Sequence, residues 1–174
     1  KLTPCRIEYI VQVIKRNIIH QQINSSNQIC NNLNILDVGC GGGLLSEPLS
    51  RLGGNITGID VSENAILTAK QHASKMGLKI NYICTSLEEL NLKKDFDLII
   101  ASEVIEHVLD RKYFLKMIRK ISSNKTSFIF TTINKSIPSL LFGKFAAEYI
   151  LNLIPKGTHD SVSYTHLRAH ETIA

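Results

Sequence analysis

No C-x-x-C pair occurs in this chain, and its four cysteines, Cys5, Cys30, Cys40 and Cys84, fall at irregular intervals. That excludes the spacing of a zinc site and of a disulfide framework, so a reducing compartment is the simplest setting. Long runs of like charge are missing too. The 20 lysines and arginines exceed the 15 acids for a formal net charge of +5, but they are scattered, with small clusters such as Lys93-Lys94 and Arg111-Lys112. A solvated surface accounts for them, and no nucleic-acid partner is expected. The most apolar stretch, 137–155, is too short and too interrupted to span a bilayer. No targeting pattern is present, and the chain opens on Lys1 rather than Met, so its start is expected to be a fragment edge. What is there is one domain's worth of chain, 174 residues at 44% apolar content, enough for a sizeable core.

The periodicities set an order. Ile7, Ile10, Val11, Ile14 and Ile18 are spaced for an N-terminal helix over about 5–19, and the polar run Asn24-Ser25-Ser26-Asn27 reads as a loop. Strands are expected at about 34–38, 55–60, 80–84, 96–101 and 127–132, with helices near 44–52, 63–76 and 110–121. Such alternation over a core of about 34–133 predicts an α/β domain, a doubly wound and mostly parallel sheet of Rossmann-like type. Ligands in these sheets bind beyond the carboxyl ends of the strands.

One of those ends carries the run Leu36-Asp37-Val38-Gly39-Cys40-Gly41-Gly42-Gly43. Glycines let the backbone approach a ligand, and a helix starting near Leu44 would present free N–H groups. The dinucleotide fingerprint G-x-G-x-x-G is not met, because Leu44 stands where its third glycine belongs. The spacing is G-x-G-x-G with Asp37 two residues ahead, a loop associated with S-adenosylmethionine (SAM), and Gly39, Gly41 and Asp37 are candidate cofactor residues. Asp60, 21 positions after Gly39, ends the second strand where a carboxylate can accept both hydroxyls of a ribose.

The fourth strand runs into Ser102-Glu103-Val104-Ile105-Glu106-His107. On a helical turn Glu103, Glu106 and His107 would share a face. Two carboxylates and an imidazole there suit a divalent cation such as Mg²⁺; His107 or Glu106 can instead act as a general base, or all three can be capping and surface charge. A bound cation would lower the pKa of a catechol hydroxyl awaiting methylation. The stretch 137–155 has a narrow polar stripe of Lys144, Glu148 and Asn152, a pattern that fits a membrane-interface helix, a dimer contact, a roof over an apolar substrate or an ordinary packed helix.

Across about Leu2 to Asp160 the sequence resembles the 3-demethylubiquinol 3-O-methyltransferase and polyprenyldihydroxybenzoate methyltransferase family of ubiquinone biosynthesis. The resemblance rests on Pro4-Cys5-Arg6-Ile7, the glycine loop, Thr57-Gly58-Ile59-Asp60, Glu103 to Val108, Ala147-Glu148-Tyr149-Ile150 and Pro155-Lys156-Gly157-Thr158-His159-Asp160. It implies SAM contacts at Arg6, Gly39, Asp60 and Ser102, and a metal, Mg²⁺, held by Glu103, Glu106 and His107. It also implies O-methylation of a polyprenylated catechol or hydroquinol, membrane contact through 137–155 and membership of a ubiquinone-biosynthesis complex. The implied location is peripheral, on the cytoplasmic face of a bacterial inner membrane or the mitochondrial matrix side. A SAM enzyme of a soluble acceptor and an NAD(P)-linked oxidoreductase are the alternatives. Residues 161–174 do not match the family, so the domain is expected to end at 160, with the final strands missing and the edge of the fifth strand exposed.

Overall fold

The structure, a computed structural model, describes residues 2–18, 29–92, 95–132 and 162–166. Its strands are β1 (Asn34–Val38), β2 (Asn55–Asp60), β3 (Asn81–Cys84), β4 (Leu98–Ser102), β5 (Ser127–Thr132) and β6 (Val162–His166). They form one sheet in the order β3-β2-β1-β4-β5-β6, and every neighbouring pair is parallel. The order reverses beside β1, where the chain crosses from β3 at one side of the sheet to β4 on β1's other flank. That is the switch point at which doubly wound sheets bind ligands.

Helices cover both faces: α1 (Leu2–Val13), α2 (Ser46–Arg51), α3 (Glu63–Lys75) and α4 (Arg111–Lys120). β4 shows why both must be covered. Its Leu98 and Ile100 join Ile10, Ile14, Ile35 and Leu49 on one side, while Ile99 and Ala101 join Phe114, Leu115 and Ile118 on the other. Successive side chains of a strand point to opposite faces, so an unbroken apolar run can only be a doubly buried strand. α3 and α4 start on side-chain caps, with Ser62 accepting the Ala65 N–H and Asp110 accepting the Tyr113 N–H. α1 docks through Ile10, and the turn that continues it through Ile14, both fully buried, which places Arg6 one turn before Ile10.

Several elements differ from expectation. The N-terminal helix begins at Leu2 and passes into a π-helical turn over Ile14–Ile18. α2 starts at Ser46 rather than near Leu44, because the turn through Gly43, at φ +85°, delays it. The edge of β5 is not left open. Phe128 to Thr132 pair in parallel register with Val162 to His166, a run inside the segment expected to lie outside the domain. Main-chain pairing asks only for an extended segment within reach, so it does not depend on a family match. The polar run 24–27 and the apolar stretch 137–155 lie outside the described residues.

Truncating Ile100, which is fully buried at the switch point, is expected to cost about 2–5 kcal/mol by urea denaturation. Leu109→Ala, at a fully exposed position, should change stability by less than about 0.5 kcal/mol.

Candidate active site

A cavity of about 390 Å³ opens beyond the carboxyl ends of β1, β2 and β4. The register creates it: Val38 pairs with both Ile59 and Ala101, so the three strands end level and their exit turns surround one space. Gly39, Asp60, Val61, Thr85, Ser86 and Leu87 form part of the wall, and Glu103, Val104, His107, Val108 and Phe114 form another part.

The glycine turn fits this wall because side chains there would collide. Gly39 sits at φ +68°, and a Cβ on it would run into Val104; Gly43, also at positive φ, leaves no room beside the Tyr82 hydroxyl. Asp60 braces the turn from β2. Its Oδ2 accepts the Gly41 N–H at 2.9 Å and its Oδ1 accepts the Ser62 N–H at 2.8 Å. The Gly41 amide is therefore not free for a ligand. A carboxylate has about four acceptor positions, so Asp60 keeps capacity for ribose hydroxyls while holding both amides.

Asp37 lies beneath the turn, 2% exposed, and accepts a hydrogen bond from Ser46 Oγ at 2.6 Å. Burial pushes its carboxyl up to about 6; the nearby Asp60 adds to this and the Ser46 hydroxyl opposes it. It does not line the cavity, so its place is behind the loop and not against a ligand. The Tyr82 hydroxyl and the Cys40 thiol are also raised, mainly by burial, so both stay neutral. Glu47, buried at the start of α2, pairs with His72 at 2.5 Å and Arg51 at 3.4 Å, which ties α2 to α3.

The expected metal set is not assembled. Among the described residues no three of histidine, cysteine, aspartate and glutamate come together to hold a metal ion. The shared-face argument assumed continuous helix through Glu103, Glu106 and His107. Instead Glu103 takes the left-handed conformation at φ +62°, and only Ile105–His107 form a 3₁₀ turn. A non-glycine residue there costs on the order of 1–2 kcal/mol, a strain typical of functional sites. The Glu103 carboxylate is instead engaged by Arg6, Nη2 to Oε1 at 2.6 Å. Burial raises the Glu103 carboxyl, with the Arg6 guanidinium opposing it. His107 and Glu103 line the cavity while Glu106 does not. Ser102 ends β4 with its hydroxyl 2.7 Å from Thr131 Oγ1, outside the lining.

Thr85, Ser86, Leu87, Val104 and Phe114 were not singled out from the sequence. One signal was available for the first three: they follow β3, whose carboxyl end lies on the ligand side of a parallel sheet.

A cavity at the switch point, walled by a glycine turn and the acid at the tip of β2, is where domains of the doubly wound class bind their ligands. Residues 36–130 match the model of the methyltransferase domain family, and the chain belongs to it. Curated relatives bear out the resemblance seen in the motifs. The chain is 46% identical over 158 residues to the ubiquinone biosynthesis O-methyltransferase of Pelagibacter ubique (strain HTCC1062), covering 90% of this chain and 64% of that one. The protein of the same name from Rickettsia prowazekii (strain Madrid E) is 43% identical over 161 residues, covering 92% and 60%. The chain thus spans somewhat less than two thirds of the length of these relatives. A SAM-dependent methyltransferase from Clostridium acetobutylicum ATCC 824 shares the fold at 25% identity and TM-score 0.53, over 69% of this chain and 49% of that one.

Because Asp37 binds its proton more tightly folded than unfolded, its contribution to stability is complete below the ordinary carboxyl value of about 4 and is lost as pH rises through about 6. Asp37→Asn keeps an acceptor for Ser46 and removes the titration. Chemical denaturation should show the variant gaining on the parent by on the order of 2–3 kcal/mol between pH 4 and pH 7.

Proposed function

We propose that this chain binds SAM and transfers its methyl group to a hydroxyl of a polyprenylated catechol or hydroquinol, as in ubiquinone biosynthesis. The observation that carries the reading is the cavity in which the Gly39 turn and Asp60 face the residues that follow β4. Its volume of about 390 Å³ suits a nucleoside with an amino-acid tail. The names of the curated relatives supply the acceptor class.

Each wall then has a task. The Gly39 turn admits the nucleoside backbone to backbone, and Asp60 accepts its ribose hydroxyls. Val61 and Leu87 offer apolar surface to a flat base, with the Thr85 and Ser86 hydroxyls beside them. When bound, SAM supplies a methyl group already activated by its sulfonium. His107 would take the proton of the acceptor hydroxyl and so leave its oxygen ready to accept that methyl group. The apolar Val104, Val108 and Phe114 exclude water from that step, and positioning supplies most of the acceleration. No step is routed through Mg²⁺, because Glu103 is committed to Arg6.

An acceptor with a polyprenyl tail resides in lipid. The reading therefore includes peripheral attachment through 137–155, on the cytoplasmic side of a bacterial membrane or in the mitochondrial matrix, and contact with other enzymes of the same pathway. Among the described residues no helix is long and apolar enough to cross a membrane.

Calorimetry is expected to show S-adenosylhomocysteine binding and no NADH binding, with Asp60→Ala weakening the former about 10- to 100-fold. Binding of NADH alone would overturn the donor. On a short-chain catechol, His107→Gln should lower kcat by about 10²- to 10⁴-fold while S-adenosylhomocysteine affinity holds; an unchanged kcat removes His107 as the base.

A further inference from the structure

Behind the glycine turn lies the phenol of Tyr82, 3% exposed and outside the cavity lining. Its ring fills a slot between two glycines. A Cβ on Gly58 of β2 would stand 2.8 Å from the ring, and one on Gly43 would collide with the hydroxyl itself. The phenol therefore backs the far end of the turn, while Gly39 at the near end lines the cavity. Burial keeps the phenol protonated, so it has a hydrogen to donate, yet the hydroxyl has no hydrogen-bond partner among the described residues. An unmade bond on a buried hydroxyl is costly, and it calls for a state of the molecule in which the bond is made. The acceptor is at hand. Ser46 Oγ donates to Asp37 Oδ2 at 2.6 Å and so keeps its own lone pairs. The Ser46 hydroxyl also opposes the effect of burial on Tyr82, which places it beside the phenol although no bond is formed. It follows Gly43 by three residues, so any settling of the turn carries it along.

We propose that Tyr82 is a positioning residue for the glycine turn: when the donor binds, the turn settles and the Tyr82 hydroxyl donates to Ser46 Oγ. This rests on the proposed donor. The bond completes a chain from Tyr82 through Ser46 to Asp37, and a buried polar network with every member satisfied rigidifies the segment it supports. Nucleoside on one side and phenol on the other then hold the turn between them. The unpaired hydroxyl is a cost borne by the free chain and relieved in the bound one, so its effect falls on affinity and not on the stability of the free fold.

The test compares the intact chain with Tyr82→Phe, which keeps the ring in its slot and removes only the hydroxyl. Without ligand the variant should melt at or above the parent's temperature, because the group removed is unpaired. In calorimetry it should bind S-adenosylhomocysteine roughly three- to tenfold more weakly. The chain has five tyrosines and no tryptophan, so its near-UV band reports tyrosine directly. S-adenosylhomocysteine should shift that band to the red in the parent, as a phenol does on donating a hydrogen bond, and the shift should be absent from Tyr82→Phe. Ser46→Ala should also weaken binding, with Tyr82→Phe adding nothing further in the double variant. Equal affinities of parent and Tyr82→Phe, an unshifted tyrosine band, additive losses in the double variant, or a Tyr82→Phe melt well below the parent's would each overturn the role of Tyr82 and leave the proposed donor standing. Failure of the parent to bind S-adenosylhomocysteine overturns the donor and this role with it. Should Ser46→Ala not fold, the affinity, melting and tyrosine band of Tyr82→Phe decide.

Discussion

Everything at the site depends on the level pairing of β1 with β2 on one side and β4 on the other. Four of the five β1 residues, Ile35 to Val38, are buried, and they face both layers, so the strand can occupy only the middle of a covered sheet. Once Val38 sits opposite both Ile59 and Ala101, the glycine turn, Asp60 and Glu103 arrive at one edge without any direct attraction between them. Slipping the register by one residue would turn every side chain of the strand to the wrong layer, which is why the alignment is strongly specified.

On this rigid base lies a set of charges that are held, not free. Asp60 spends lone pairs on two amides, Asp37 is buried beneath the loop, and Glu103 is paired to a helix on the far side of the sheet edge. Their common effect is a ligand-facing wall of backbone and carboxylate, supported from behind by packed side chains. The strain at Glu103 is tolerated because the core beneath it is well filled, with Ala101 fully buried and Ile105 nearly so. Local conformational cost of this kind persists only where the surroundings over-determine it.

Legibility followed the range of the interaction concerned. β1, β2 and β5 begin and end where the apolar runs placed them, because a strand's face pattern is local. Asp60 and Gly39 were legible for the same reason: a strand end and a glycine turn announce themselves within a few residues. The set at Glu103, Glu106 and His107 was misread because spacing along the chain was taken as spacing along a helix. A single left-handed residue was enough to break that equivalence. β6 was missed because edge pairing leaves little trace in side-chain pattern.

The sequence by itself determined the fold class, the glycine turn and the acid at the tip of the second strand, since each is written in neighbouring residues. Only the tertiary structure decided which groups share a wall. Arg6 and Glu103 are 97 positions apart, and nothing local links them. Thr85 and Ser86 likewise reach the cavity from the turn after β3, and Phe114 from α4. Such meetings arise from the packing of α1 and α4 on opposite faces of one sheet, and packing is a property of the whole chain rather than of any segment.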